Sequence, residues 1–154
     1  MKKRIISNHM IKNKTSLLAE RMNSSPNKPD VILCVLSGGF LFFSDLVKQL
    51  AFDFEVEFIK NKILVNDISL VGKKVLVIED IFDSGKTVKE LDIVLDYEFV
   101  QEKHYVALLA RNTFRQEENI DFLFSVAKEN FVYGYGLDDR FGKNRHLEDI
   151  YIEE

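Results

Sequence analysis

The sequence predicts an α/β fold with a mostly parallel central sheet flanked by helices. Three observations predict it. Two apolar runs, Val31 to Leu36 and Val75 to Ile78, lack the polar alternation of a half-exposed strand, so both sides are expected to be covered. Segments with helical spacing of apolar residues fall between the strands. Small or breaking residues punctuate the junctions, as in repeated strand–helix units.

The elements follow in order. Ile11 to Met22 reads as a helix, with Leu17, Leu18 and Met22 able to share one face. The cluster Ser24-Ser25-Pro26-Asn27-Lys28-Pro29-Asp30 breaks it. Val31 to Leu36 is the first buried strand, and Ser37-Gly38-Gly39 turns the chain into a helix over Phe40 to Leu50. Phe54 to Ile59 alternates and reads as a strand. Gly72-Lys73-Lys74 leads into the second buried strand, Val75 to Ile78. Thr87 to Leu95 is a helix with Val88, Leu91 and Leu95 on one face, and His104 to Leu109 and Phe122 to Val126 are further strands.

A chain of 154 residues is enough for one compact domain with its own core. Its 46% apolar and 30% charged content is that of a globular protein. The net charge of −4 and the lack of a basic stripe argue against a nucleic-acid partner. No apolar run approaches the roughly 18 residues of a membrane span, and Ile5-Ile6 is too short for a signal core, so a cytoplasmic location is expected. Cys34, the one cysteine, sits in the first buried run and reads as an inert core thiol. His9, His104 and His146 are not spaced as metal ligands, and Glu153-Glu154 reads as a solvated tail.

The chemistry concentrates after Val75 to Ile78, because ligands in open α/β sheets gather at the carboxyl ends of strands. Glu79, Asp80 and Asp83 come directly off this strand, and Ser84-Gly85-Lys86-Thr87 opens the next helix. Small residues there let backbone amides converge, and with the helix dipole they form an anion site. Acids beside a phosphate cradle would repel the ligand unless they bind sugar hydroxyls or a metal. The combination suggests a phosphorylated sugar and a divalent cation held together. A phosphate-binding loop of the nucleotide-hydrolase type is excluded, since it needs a glycine where Asp80 stands. A second place, Leu36-Ser37-Gly38-Gly39, permits close backbone approach and could hold a pyrophosphate from the other side.

Val75 to Leu91 resembles the phosphoribosyl-diphosphate signature of type I phosphoribosyltransferases. Two further stretches resemble the hypoxanthine-guanine members: Val35 to Leu46 resembles their pyrophosphate loop, and Phe131 to Asp138 their purine-binding hood. The resemblance implies a single domain over residues 1–154, with a small hood contributed by about residues 1–10 and 127–154. It implies transfer of 5-phosphoribosyl from 5-phosphoribosyl 1-diphosphate to hypoxanthine or guanine, with Mg²⁺, in a homo-oligomer of two or four chains. Glu79 and Asp80 would hold the ribose hydroxyls directly or through Mg²⁺, and Asp83 would face N7 of the purine as proton donor or acceptor. Ser84, Gly85, Lys86 and Thr87 would cradle the 5-phosphate. Ser37, Gly38 and Arg145 would bind the pyrophosphate, and Asp138 a second Mg²⁺ upon it. Phe131 would stack on the base, the Val132 backbone would read its edge, and Arg111 would contact its 6-oxygen.

The chain departs from the family pattern in three places, besides the Arg145 position, which lies one residue further from Asp138. Ser37 and Arg111 stand where lysines are usual. The third is the largest. A long mobile lid with a Ser-Tyr pair normally comes after Phe58-Ile59, whereas here Lys60-Asn61-Lys62 leads almost at once to Ile63-Leu64-Val65. A lid excludes water, so slower and leakier turnover is expected. An alternative is a binding or regulatory protein that keeps the phosphoribosyl site with little catalysis.

Overall fold

The computed structural model describes all 154 residues. The elements run β1 (Lys2–Ile6), α1 (Asn8–Ser24), β2 (Val31–Val35), α2 (Phe40–Val47), β3 (Glu55–Lys60), β4 (Ile63–Leu64), β5 (Lys74–Phe82), α3 (Lys86–Tyr97), β6 (Glu102–Arg111), β7 (Ile120–Val126), β8 (Val132–Tyr133) and β9 (Ile150–Glu153). Six strands form the main sheet in the order β4-β3-β2-β5-β6-β7. All its pairings are parallel except that of the short edge strand β4 with β3. A second, antiparallel sheet of order β1-β9-β8 makes the hood.

The core explains the continuous apolar runs. Alternate residues of β2 and β5 enter two separate clusters on opposite faces of the sheet. Ile32, Cys34 and Ile78 join α1, α2 and the hood, while Val31, Leu33, Val75 and Val77 pack with Val88, Leu91 and Leu95 of α3. Burying each such side chain stabilises by about 1.5–3 kcal/mol, so both faces of these strands hold the site's platform rigid. Cys34 is fully buried, and burial, with the charges of Glu79 and Asp80, pushes its thiol up to about 12. Its burial is what its setting in the sequence suggested.

Helix boundaries depart modestly from the sequence reading. Ser7 caps α1, its hydroxyl accepting from the Met10 amide at 3.3 Å, so the helix starts before Ile11. Helix α2 ends at Val47 rather than Leu50, because Gln49 and Leu50 donate three residues back in a tight final turn. Glu153 is not a free tail, since it pairs with Lys2 in the β1–β9 ladder.

The segment after Ile59 is a tight hairpin. Asn61 and Lys62 link β3 to β4, both in the left-handed region, with φ of 50° and 64°. Two consecutive positive φ values are those of the type I′ turn, whose twist suits adjoining antiparallel strands. Fully buried Glu57 anchors the chain beyond β4. Its carboxylate accepts from the amides of Phe58 (2.7 Å), Asn66 (3.0 Å) and Ile68 (3.2 Å) and from Asn66 Nδ2 (3.1 Å). Burial alone would raise its pKa, but these donors prevail and hold it below the usual carboxylate range. The return from the hairpin is therefore a fixed edge.

Candidate active site

The site lies beyond the carboxyl end of β5. Glu79 and Asp80 are still within this strand, followed by Ile81 and Phe82, whose buried ring stacks on Phe114 at 5.1 Å. The loop Asp83-Ser84-Gly85 then turns into α3, with Gly85 at φ 84°, a conformation that favours glycine. Within α3, Lys89 is the first residue whose amide reaches a backbone carbonyl, that of Gly85 at 3.1 Å. The Lys86 amide donates to Ser84 Oγ at 3.4 Å, the Thr87 and Val88 amides reach no backbone carbonyl, and the Ser84 and Thr87 side chains are exposed, so the turn offers donors for an anion. The Lys86 side chain is largely exposed and reaches Glu90 only at 3.9 Å.

The two acids at the strand end differ. Glu79 is buried, and its Oε2 has no partner. Burial, then the adjacent Asp80 carboxylate, holds its pKa well above the usual carboxylate range. Asp80 accepts from the Ile81 amide at 2.7 Å. Its other oxygen closes on the Ser37-Gly38 turn, where a Cβ on Gly38 would lie 1.8 Å from Asp80 Oδ2. Gly38 is therefore required by the approach of the acid, which brings the two places singled out in the sequence into one site.

The hood closes on the same turn. Gly136, at φ 98°, packs so closely that a Cβ would lie 2.3 Å from the Gly38 carbonyl oxygen. Arg145 donates from Nη1 to the Gly136 carbonyl at 2.7 Å, and its Nη2 lies 3.0 Å from Asp138. The buried Tyr135 hydroxyl donates to Asp45 of α2, fastening the hood to the helix after the turn. Sequence reasoning missed the Asp45–Tyr135 link. The run Tyr133-Gly134-Tyr135-Gly136 was its available signal, since two closely spaced glycines mark backbone that must curl or approach closely.

Arg111, at the end of β6, bridges the halves of the site. Its Nη1 donates to the carbonyls of Ala127 (3.1 Å) and Asn130 (2.7 Å), just before Phe131. Its buried Nε has no hydrogen bond and stands 3.6 Å from Asp83, whose side chain is two-thirds exposed. Val132 is buried in the hood, while Phe131 is half-buried with the Arg140 guanidinium 4.8 Å from its ring centre.

This arrangement matches known proteins. The phosphoribosyl transferase domain family matches residues 3–140. A hypoxanthine-guanine phosphoribosyltransferase of Aquifex aeolicus is 30% identical over 173 aligned positions, covering 99% of this chain and 94% of the relative. The chain belongs to this family. It is a type I phosphoribosyltransferase of the hypoxanthine-guanine group. A Schistosoma mansoni relative of the same name is 35% identical over 142 positions, covering 75% of this chain, which spans half of that relative's length. A solved hypoxanthine-guanine-xanthine phosphoribosyltransferase superposes with a TM-score of 0.87 at 27% identity, covering 99% of this chain and 94% of its own. The Aquifex alignment is longer than the chain itself, so that relative has stretches with no counterpart here. In this chain β3 and β4 are joined by the two residues Asn61-Lys62 alone, and the Lys62 ammonium lies 3.4 Å from Glu90 of α3.

No group of three or more His, Cys, Asp or Glu side chains converges as a metal cage. The donor set nonetheless suits a hard cation. Magnesium is commonly held by one or two carboxylates, with the rest of its shell from water and substrate oxygens. The partnerless Glu79 Oε2 beside Asp80 offers that kind of incomplete site.

Proposed function

We propose that this enzyme transfers 5-phosphoribosyl from 5-phosphoribosyl 1-diphosphate to hypoxanthine or guanine, releasing pyrophosphate and serving purine salvage. The observation that carries the reading is the contact of Asp80 with Gly38, which joins the sugar-phosphate turn to the glycine turn around one space. The Ser84 and Thr87 hydroxyls and adjoining amides hold the 5-phosphate, with Gly85 allowing the curl and Lys86 adding charge at the rim. The turn at Ser37-Gly38 and Arg145 hold the pyrophosphate. Phe131 stacks on the purine, the Val132 backbone reads its edge, and Arg111 meets its 6-oxygen. Mg²⁺ held by Glu79 and Asp80, with a second ion at Asp138, would neutralise the diphosphate and bind ribose hydroxyls.

The bond to pyrophosphate loosens first, leaving oxocarbenium-like charge on the ribose, and the base supplies N9. Asp83 holds or receives a proton at N7. Catalysis is mainly positioning and electrostatic stabilisation. A single domain over residues 1–154, whose hood is the β1-β9-β8 sheet with its flanking turns, a homo-oligomeric assembly and a cytoplasmic setting complete the reading. No helix is long and apolar enough to cross a membrane. The regulatory alternative rests on the short hairpin alone, and the named relatives favour the enzyme.

Base choice tests this reading. Arg111 offers donors and no acceptor, and Nη1 is already committed to two carbonyls. Adenine would set its amino group against the remaining donors, and one unpaired buried group costs about 1–3 kcal/mol. Hypoxanthine or guanine is therefore expected to be used roughly tenfold to a hundredfold ahead of adenine. Arg111→Met should narrow that gap by lowering the 6-oxopurine rate, and Arg111→Lys should restore part of it. Competition kinetics check this, and equal use of adenine, or unchanged preference in Arg111→Met, would remove Arg111 from base recognition.

A further inference from the structure

Beside the glycine turn lies a shallow, solvent-open cleft of about 510 Å³, lined by Phe40, Gly142, Lys143, Asn144, Arg145 and His146. Phe40 begins α2 immediately after the Ser37-Gly38-Gly39 turn, so the cleft adjoins the place where pyrophosphate is expected. The opposite wall is a hood loop of fixed shape. Asp139 accepts from the Phe141 amide (2.9 Å), the Lys143 amide (2.9 Å) and Asn144 Nδ2 (2.6 Å), and these donors hold its pKa below the usual carboxylate range despite some desolvation. The Asp139 amide donates back to the Lys143 carbonyl at 2.8 Å. Gly142 and Asn144 take positive φ, 72° and 69°, so the loop curls tightly around the Asp139 carboxylate.

Three nitrogen-bearing side chains, those of Lys143, Arg145 and His146, belong to residues that line the cleft. Arg145 is partly committed to the Gly136 carbonyl and Asp138. Neither Lys143 Nζ nor the His146 ring has a hydrogen bond or ion pair, and both are exposed, although the Lys143 charge helps to lower the pKa of Asp139. The carboxylates nearest in the loop are engaged, Asp138 with Arg145 and Asp139 with three donors. A cleft with free donors and satisfied acids favours an anion.

We infer that Lys143 and His146 form an outer anion subsite continuous with Arg145, which takes the distal phosphoryl group of a diphosphate. The inference rests on the proposed function for the identity of the anion and adds two residues to those assigned by resemblance. Its consequence is a path by which the leaving diphosphate departs along the hood, away from the base.

Lys143→Gln with His146→Asn tests it. The loop is held through the Lys143 backbone and not its side chain, so the substitution leaves the Asp139 bonds in place. Removing the exposed Lys143 charge together with the His146 donor is expected to raise the inhibition constant of inorganic pyrophosphate and the KM of the diphosphate donor about threefold to tenfold together. The KM of the base should rise at least threefold less. Lys143→Arg should stay near the parent protein, and Lys143→Glu should exceed the double variant. Calorimetry with pyrophosphate and Mg²⁺ alone separates the subsite from the transferase reading, because it needs no turnover. Unchanged pyrophosphate affinity in a double variant with parental melting temperature, or an equal rise in base KM, would overturn the subsite. Weakened pyrophosphate binding without transfer to any base would keep the subsite and remove the transferase reading.

Discussion

Asp83→Asn is expected to lower kcat by about 10²- to 10⁴-fold, the range over which a positioned acid or base usually acts. The amide keeps the shape and loses the proton exchange. Its surroundings tolerate the change, because Asp83 is two-thirds exposed and its one charged neighbour, Arg111 Nε, lies beyond hydrogen-bond distance at 3.6 Å. Binding of the nucleoside monophosphate product should stay within a few-fold of the parent, since Ser84 to Thr87 and the hood are untouched. Single-turnover kinetics beside a nucleotide titration check the split. Normal turnover would remove Asp83 from the mechanism, and equal losses in binding and turnover would make it part of the cradle.

Glu79→Gln with Asp80→Asn is expected to weaken Mg²⁺-dependent binding of the diphosphate donor by at least about 100-fold, since perturbing even the partners around a metal's ligands costs about 10- to 100-fold. Burial and the neighbouring Asp80 carboxylate hold Glu79 toward its neutral form, so Gln imitates the state the fold already favours. Asn at position 80 retains an oxygen for the Ile81 amide, which Asp80 bonds at 2.7 Å. The fold should therefore survive while the attraction for a cation is lost. Calorimetry with and without Mg²⁺ reads the effect, and unchanged donor affinity would defeat the assigned role.

Much of this was legible in the sequence, for a physical reason. The parallel strands are buried on both faces, so Val31 to Leu36 and Val75 to Ile78 are apolar without interruption. The acids at the end of β5 and just beyond it, and the small residues that follow, are adjacent in the chain, so their chemistry could be read locally. Strands β1, β4, β8 and β9 were not read as strands. The first, Lys2–Ile6, has only Ile6 buried and pairs with Ile150–Glu153 at the far end of the chain, a partnership with no local signal. Glu57 was equally hidden, because a charged residue in an alternating strand reads as solvent-facing until its donors from Asn66 and Ile68 are known. The roles of Ala127 and Asn130 depend on backbone carbonyls, which any side chain at those positions would supply. The hairpin at Asn61-Lys62 was visible only as missing length, and its tight turn and the fixed edge behind it come from backbone dihedrals and the Glu57 carboxylate.

The measurement that tests the central claim most directly is product formation from 5-phosphoribosyl 1-diphosphate and Mg²⁺ with hypoxanthine, guanine, xanthine and adenine supplied separately. Nucleoside monophosphate and pyrophosphate should appear in equal amounts with hypoxanthine or guanine, well ahead of adenine. The rate is expected to be modest for this chemistry, because β3 and β4 are joined by the two-residue turn at Asn61-Lys62 in place of a long segment that could close over the reaction centre. No nucleotide from any of the four bases, in a protein that still binds the diphosphate donor, would contradict the account and leave a binding protein in its place.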